Sequence, residues 1–163
     1  MTTETALTVH RFRPRFRVLA ALSVAIGAAL IVFAVTAGAI VVPLVTGALG
    51  VALGAGYLAS PTWRLEVVVD DTALEVRSKT TSRFRLAWSD VVRVIAAPKH
   101  NTCFVDGGTP ERRLLVPGVG APAPYDLEDR PGLFATILAH VPAERVQVVE
   151  SIEDYKREAA AKP

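Results

Sequence analysis

The sequence predicts a membrane-spanning α-helical hairpin joined to a small α+β domain, an antiparallel curved sheet capped by one C-terminal helix. Three observations carry that expectation. From Val18 to Trp63 the chain has no Asp, Glu, Lys, Arg or His. From Arg64 onward, apolar and polar residues alternate in short runs separated by turn residues. A single helical pattern near 130–141 then follows the runs. The 163 residues divide accordingly into a basic juxtamembrane arm (1–17), a two-helix hairpin (18–62), a strand-rich domain (63–150) and a polar tail (151–163).

The charge-free run sets the number of spans. It is about 46 residues long, whereas one helix crosses the hydrocarbon core with about 20. The helices of a soluble core expose polar residues every turn, so a run of this length calls for a bilayer and fits two helices with a tight turn. The turn falls at Thr36-Ala37-Gly38, giving spans of Val18–Val35 and about Ile40–Leu58. Pro43 lies in the first turn of the second helix, where its missing N–H costs little. Tyr57 and Trp63 flank the exit, at the depth amphipathic rings prefer. A cleaved signal peptide is the alternative for the first span, with Thr36-Ala37-Gly38-Ala39 as the small-residue site. The long start, the long apolar stretch and the immediate second span argue against it.

Orientation follows from the cations. Arg11, Arg13, Arg15 and Arg17 precede the first span, Arg64 closes the second, and the turn is uncharged. The positive-inside bias puts both ends of a multi-pass cell (inner) membrane protein in the cytoplasm. Four of the 18 Lys and Arg lie in residues 1–17, leaving 14 against 15 carboxylates in residues 64–163. The sequence pI of about 8.9 thus reflects the arm, which is expected on anionic headgroups or as a plain topology signal. A domain without net positive charge disfavours nucleic acid as a partner.

Within the spans, Gly50 and Gly54 form a G-x-x-x-G pair, a spacing that lets helix backbones approach closely in lipid. The first helix, with Gly27, Ala28 and Ala34, is the expected partner, ahead of a second copy. No ionisable group lies in either span, so an ion pathway or proton relay has nothing to work with.

In the domain, Leu65, Val67 and Val69 alternate with Arg64, Glu66 and Val68, and Asp70-Asp71-Thr72 turns the chain. Leu74 and Val76 alternate with Glu75, Arg77 and Lys79; after Lys79-Thr80-Thr81-Ser82, Phe84, Leu86 and Trp88 alternate with Arg83, Arg85 and Ala87. This period of two means antiparallel strands with one buried face. Val91–Ala96 supplies a further strand, and Cys103–Val105 and Arg113–Val116 a hairpin about Asp106-Gly107-Gly108. Asp129 is the expected N-cap of the helix, Pro131 sits just inside, and Leu133, Phe134, Ile137 and Leu138 form its apolar stripe. Val141-Pro142 ends it, and Val146–Val149 offers a short strand.

Two N-terminal spans, a strand meander containing Phe84-Arg85-Leu86-Ala87-Trp88-Ser89-Asp90-Val91, and one closing helix resemble the bacterial PH-like domain membrane proteins. The resemblance implies a small split barrel closed by the C-terminal helix, and a binding or scaffolding role without catalysis or cofactor. The Gly/Pro-rich stretch from Pro117 to Pro124 departs from the family pattern. Read without the family, Trp88 is the largest inward residue and belongs in the core.

Motifs for enzymatic chemistry are missing: there is no G-x-S-x-G, H-E-x-x-H, phosphate loop or G-x-G-x-x-G. His100, Cys103 and Asp106 are the one grouping with metal-ligand residue types, but they are too few and sit about a turn, so no metal site is assigned. The single cysteine forms no internal disulfide. One constellation suggests binding. Arg77 and Lys79 on one strand and Arg83 and Arg85 on the next converge at a turn, with Arg64 on the same side. Such a face suits an anionic lipid headgroup or an acidic segment of a protein partner, or serves only as a solvated face that discourages edge pairing. A non-enzymatic interaction or scaffold module is therefore expected. The competing class is a membrane-associated enzyme or assembly factor with a site near the Arg77–Arg85 hairpin or the Pro117–Pro124 loop.

Overall fold

The computed structural model describes residues 7–38, 40–79, 81–118, 121 and 123–152. The tail beyond residue 152, Thr80 of the turn, and residues 119, 120 and 122 of the Gly/Pro-rich stretch lie outside them. A strand, β1 (Thr8–Pro14), precedes the helices α1 (Arg17–Thr36) and α2 (Val41–Leu58). Then come β2 (Leu65–Val69), β3 (Ala73–Ser78), β4 (Ser82–Ala87), β5 (Arg93–Ala97), β6 (Thr102–Asp106) and β7 (Arg113–Val116). The chain ends through β8 (Tyr125–Leu127), α3 (Arg130–His140) and β9 (Val146–Val148). Residues 14–63 form one compact unit; the chain before and after them forms a second.

The helical unit is an antiparallel pair whose ends match the sequence expectation. α1 stops at Thr36, whose Oγ1 donates back to the Val32 carbonyl at 3.0 Å, and Gly38 takes the positive φ of +96° that ends the turn. The seam is set by small residues. Ala20, Gly27 and Ala34 are the buried positions of α1, Gly47 and Gly54 those of α2. A Cβ on Gly27 would lie 2.6 Å from the Gly47 carbonyl oxygen, and one on Gly54 would lie 2.6 Å from that of Ala20. Contacts recurring every seven residues mark a left-handed seam. The four-residue spacing of Gly50 and Gly54 is therefore not the whole motif: Gly54 lies on the seam, while Gly50 flanks it, its carbonyl accepting from Ser23 Oγ at 3.0 Å. Away from the seam the helices are apolar and uncovered, with Val18, Val42 and Leu53 each more than 70% exposed.

The second unit holds two sheets, of order β4-β3-β2-β1-β8 and β7-β6-β5-β9. Val67, Val69, Leu74, Val76 and Leu86 line the first sheet's inner face, as the period-two pattern requires. Val94, Val105 and Val116 of the second sheet and Leu133, Phe134 and Ile137 of α3 complete the core. Asp129 caps α3, its carboxylate accepting the Gly132 N–H at 3.3 Å. A smaller cluster on the other face of the second sheet joins Ile95 and Ala97 to Ile152. The last strand differs from its antiparallel neighbours: β9 runs parallel to β5, because α3 makes the crossover that a parallel partner needs.

The sequence assigns residues 1–17 to an arm on the headgroups, but Thr8–Pro14 is a strand of the first sheet. It pairs antiparallel with β2, from Thr8 opposite Val69 to Arg11 opposite Glu66. His10 and Phe12 turn into the domain, 4% and 7% exposed, and Val9, Arg11 and Arg13 turn out. The helical hairpin is thus an insertion between two neighbouring strands. Continuing the register places Arg13 opposite Arg64, the spacing a two-residue β-turn closes. Replacing residues 14–63 by Asn-Gly is expected to give a folded, soluble domain by circular dichroism and dispersed amide resonances. Residues 64–152 alone, lacking Phe12 and His10, should not fold stably. A fragment as well dispersed as the joined chain would show that β1 is dispensable.

The seam makes its own prediction. Gly27→Val and Gly54→Val force a side chain against backbone atoms and should destabilise the hairpin by about 1–3 kcal/mol. Gly56, whose Cβ would meet nothing within 4 Å, should accept Ala without change; unfolding in detergent micelles checks both.

Candidate functional site

The basic face is built on the β3–β4 hairpin, and its cations do not share one fate. On the outer side of β2 and β3, Glu66 stands opposite Arg77, and their side chains pair at 2.8 Å. Arg85 pairs with Asp70 at 2.9 Å and approaches Glu75 at 4.0 Å. A bulge falls between: Val76 faces Phe84 and Arg77 faces Ser82, so Arg83 has no partner in the ladder. A bulge residue need not follow the alternation of its strand. The charge of Arg83 is felt at Tyr125, whose hydroxyl burial nonetheless holds above the usual tyrosine range. Among the described residues Arg64, Lys79 and Arg83 are exposed and have no carboxylate within 4.0 Å.

Of the juxtamembrane arginines, Arg13 pairs with Glu128 of the segment after β8, and Arg15 lies over the Phe16 ring, 5.7 Å from its centroid. Arg11 and Arg17 are exposed. Tyr57 and Trp63 pack edge-on at 5.0 Å, and the Phe16 N–H donates to Tyr57 Oη at 3.0 Å, so three aromatic residues gather where the helices begin and end.

Trp88-Ser89-Asp90-Val91 organises the far end of the sheet. Trp88 is 7% exposed; its Nε1 donates to the Asp70 carbonyl at 3.0 Å, and its ring stacks on His140 of α3 at 4.9 Å. Arg145 donates to the Ser89 and Val91 carbonyls, both at 2.7 Å, and Asp90 takes Arg112 at 3.3 Å. This motif joins the first sheet, α3 and the approach to β9. Hydrogen bonding from the Thr72 hydroxyl, with the Thr72 and Ala73 N–H groups and Arg85, outweighs partial burial and keeps Asp70 below the usual carboxylate range.

The grouping of His100, Cys103 and Asp106 does not converge. Cys103 faces the core, and burial pushes its thiol up to about 12. Asp106 turns to the opposite side of β6, 5% exposed, between Arg113 at 3.1 Å and Arg93 at 3.4 Å. Burial pulls its pKa upward, but the Gly108 N–H and the two guanidinium groups prevail and hold it below the usual range. Among the described residues no three His, Cys, Asp or Glu side chains gather to hold a metal. Pro117 and Ala123 of the Gly/Pro-rich stretch are buried, and a Cβ on Gly118 would lie 2.9 Å from the His100 carbonyl oxygen. Gly118 is thus packed against the start of β6, its added Cβ also 2.9 Å from Thr102 Cβ.

His10 stands at an inward position of β1. Its Nδ1 lies 3.0 Å from the Glu128 carbonyl, which can only accept, so Nδ1 carries the proton. Nε2 is buried with no partner among the described residues.

No family model, curated protein or solved structure matches the chain. What stands is two long apolar helices packed as a hairpin, two β-sheets and a closing helix, an α+β arrangement.

Because the folded pKa of Asp106 lies below its unfolded value of 3.8, its contribution is fully present above about pH 4. It is lost as pH falls through the folded value. Asp106→Asn should cost about 1–3 kcal/mol at pH 7, and the gap to wild type should close as pH approaches 2. A gap independent of pH in denaturant titrations would exclude the charged pairs as its source.

Proposed function

We propose that this is a membrane-anchored, non-enzymatic interaction protein that presents a PH-like strand domain at the cytoplasmic face of a cell (inner) membrane. The observation that carries the reading is the uncovered apolar surface of both helices. Only 17% of the first span's apolar window and 11% of the second's are buried within the chain. Leaving Val, Leu, Ile or Phe side chains in water forgoes about 1.5–3 kcal/mol each, and a bilayer removes that cost. Pairing of β1 with β2 supports placing both ends of the hairpin on one side, since strands divided by a membrane do not pair. The arginines at both ends support the cytoplasm as that side.

The PH-like reading draws on the two antiparallel sheets with α3 against their core and on Trp88 at the place its motif holds in such proteins. The ligand is a protein segment or a lipid, with the exposed cations as the means of contact.

Val45→Arg should impair insertion by about 2.5–3.5 kcal/mol on translocon scales, read as lost membrane yield. Reporter fusions at residues 38 and 163 are expected to report the outer side and the cytoplasm respectively. An outer signal at 163 would overturn the orientation, and full membrane yield of the variant would overturn the second span.

A further inference from the structure

We propose that Arg64 and Lys79, with Arg13 beside them, form a seat for the headgroup of an anionic lipid in the leaflet where the hairpin is anchored; this rests on the membrane-anchored reading above. The argument comes from register. The β2–β3 ladder ends at Leu65 opposite Ser78, so Arg64 and Lys79 are the residues that flank its end, and the β1–β2 ladder, which ends at Arg11 opposite Glu66, leads Arg13 to the same end. Arg13 of β1, Arg64 in the short helical turn just before β2 and Lys79 just after β3 therefore lie at the same end of the sheet. It is the end from which the chain leaves for the hairpin: Arg13 is the last residue before that unit and Arg64 the first after it.

The neighbouring cations are already matched. Arg77 is held by Glu66 and Arg85 by Asp70 and Glu75. Arg13 shares Glu128. Arg64 and Lys79 are exposed and have no carboxylate within 4.0 Å among the described residues. Like charges side by side across strands destabilise a sheet; an anion between them removes that cost. Chain continuity chooses the anion, because one residue beyond Arg64 lies Trp63, and Trp63, Tyr57 and Phe16 form the aromatic group that favours the headgroup layer. A phosphodiester at that depth is within reach of Arg64, while a soluble acidic segment would have to enter the interface.

Native mass spectrometry of the full-length protein, released from detergent with equimolar phosphatidylglycerol and phosphatidylcholine, tests the proposal. Wild type is expected to retain phosphatidylglycerol preferentially. Arg64→Gln or Lys79→Gln should each lower that preference about fivefold, and the double variant about 25-fold, the ratio expected for two surface cations. Arg64→Lys with Lys79→Arg should restore it, and Arg85→Gln should leave it unchanged. Both residues are exposed, so unchanged near-ultraviolet circular dichroism is expected throughout. Equal retention of the two lipids by wild type, or an undiminished preference in the double variant, would overturn the seat while leaving the anchor intact. Release of the protein from membranes by alkaline carbonate would overturn both.

Discussion

The pairing of β1 with β2 is the constraint on which the rest of the molecule depends. These strands are neighbours in the first sheet, yet the whole apolar hairpin lies between them in the chain. A strand pair holds its backbones about 4.8 Å apart, so whatever is inserted must start and finish at nearly the same place. An antiparallel helix pair does this, with its axes about 8–10 Å apart. Small residues at Ala20, Gly27, Ala34, Gly47 and Gly54 let the two backbones approach closely. A single span, or any odd number, would divide β1 from β2 and remove Phe12 and His10 from the domain.

The same constraint orders the charges. Like charges opposite one another weaken a ladder, so the sheet needs its outward charges matched. The outer face of β2 and β3 meets that need. Glu66 answers Arg77, Asp70 and Glu75 answer Arg85, and unmatched charge is left at Arg64 and Lys79. At the other end of the sheet the Asp70 turn is fixed by Thr72, Ala73 and the Trp88 indole. Truncating Trp88 would remove a large buried ring together with its stack on His140 of α3 and its hydrogen bond to the Asp70 carbonyl, a loss in the range of about 3–5 kcal/mol for such residues.

Much of this was legible in the sequence because hydrophobic periodicity carries it. The helix limits, the β2–β4 meander, the β6–β7 hairpin and the capped α3 all follow from repeats of 3.6 or 2 with turn residues between. β1 was less visible although Thr8, His10 and Phe12 alternate with Val9, Arg11 and Arg13. A polar His stood at an inward position, and four arginines carried a stronger topological meaning. β8, at three residues, is too short to show a period. The helix seam was half visible: G-x-x-x-G drew attention to Gly50 and Gly54, whereas the contact repeats every seven residues through Gly47 and Gly27. The fates of Arg77 and Arg85 depend on register and on the bulge at Arg83, which local sequence does not encode.

The hairpin's packing also limits what the hairpin can do. Its closest approaches are consumed within the chain, since Gly27 meets Gly47 and Gly54 meets Ala20. The outward faces, with Val18, Val42 and Leu53, match lipid tails without offering a polar contact. A bundle of such helices gains only packing over lipid solvation. Residues 18–63 carry no ionisable side chain, so the hairpin offers no charged group for chemistry or ion passage. In the strand domain the exposed cations Arg64, Lys79 and Arg83, with no carboxylate within 4.0 Å among the described residues, are the groups left to meet an anion.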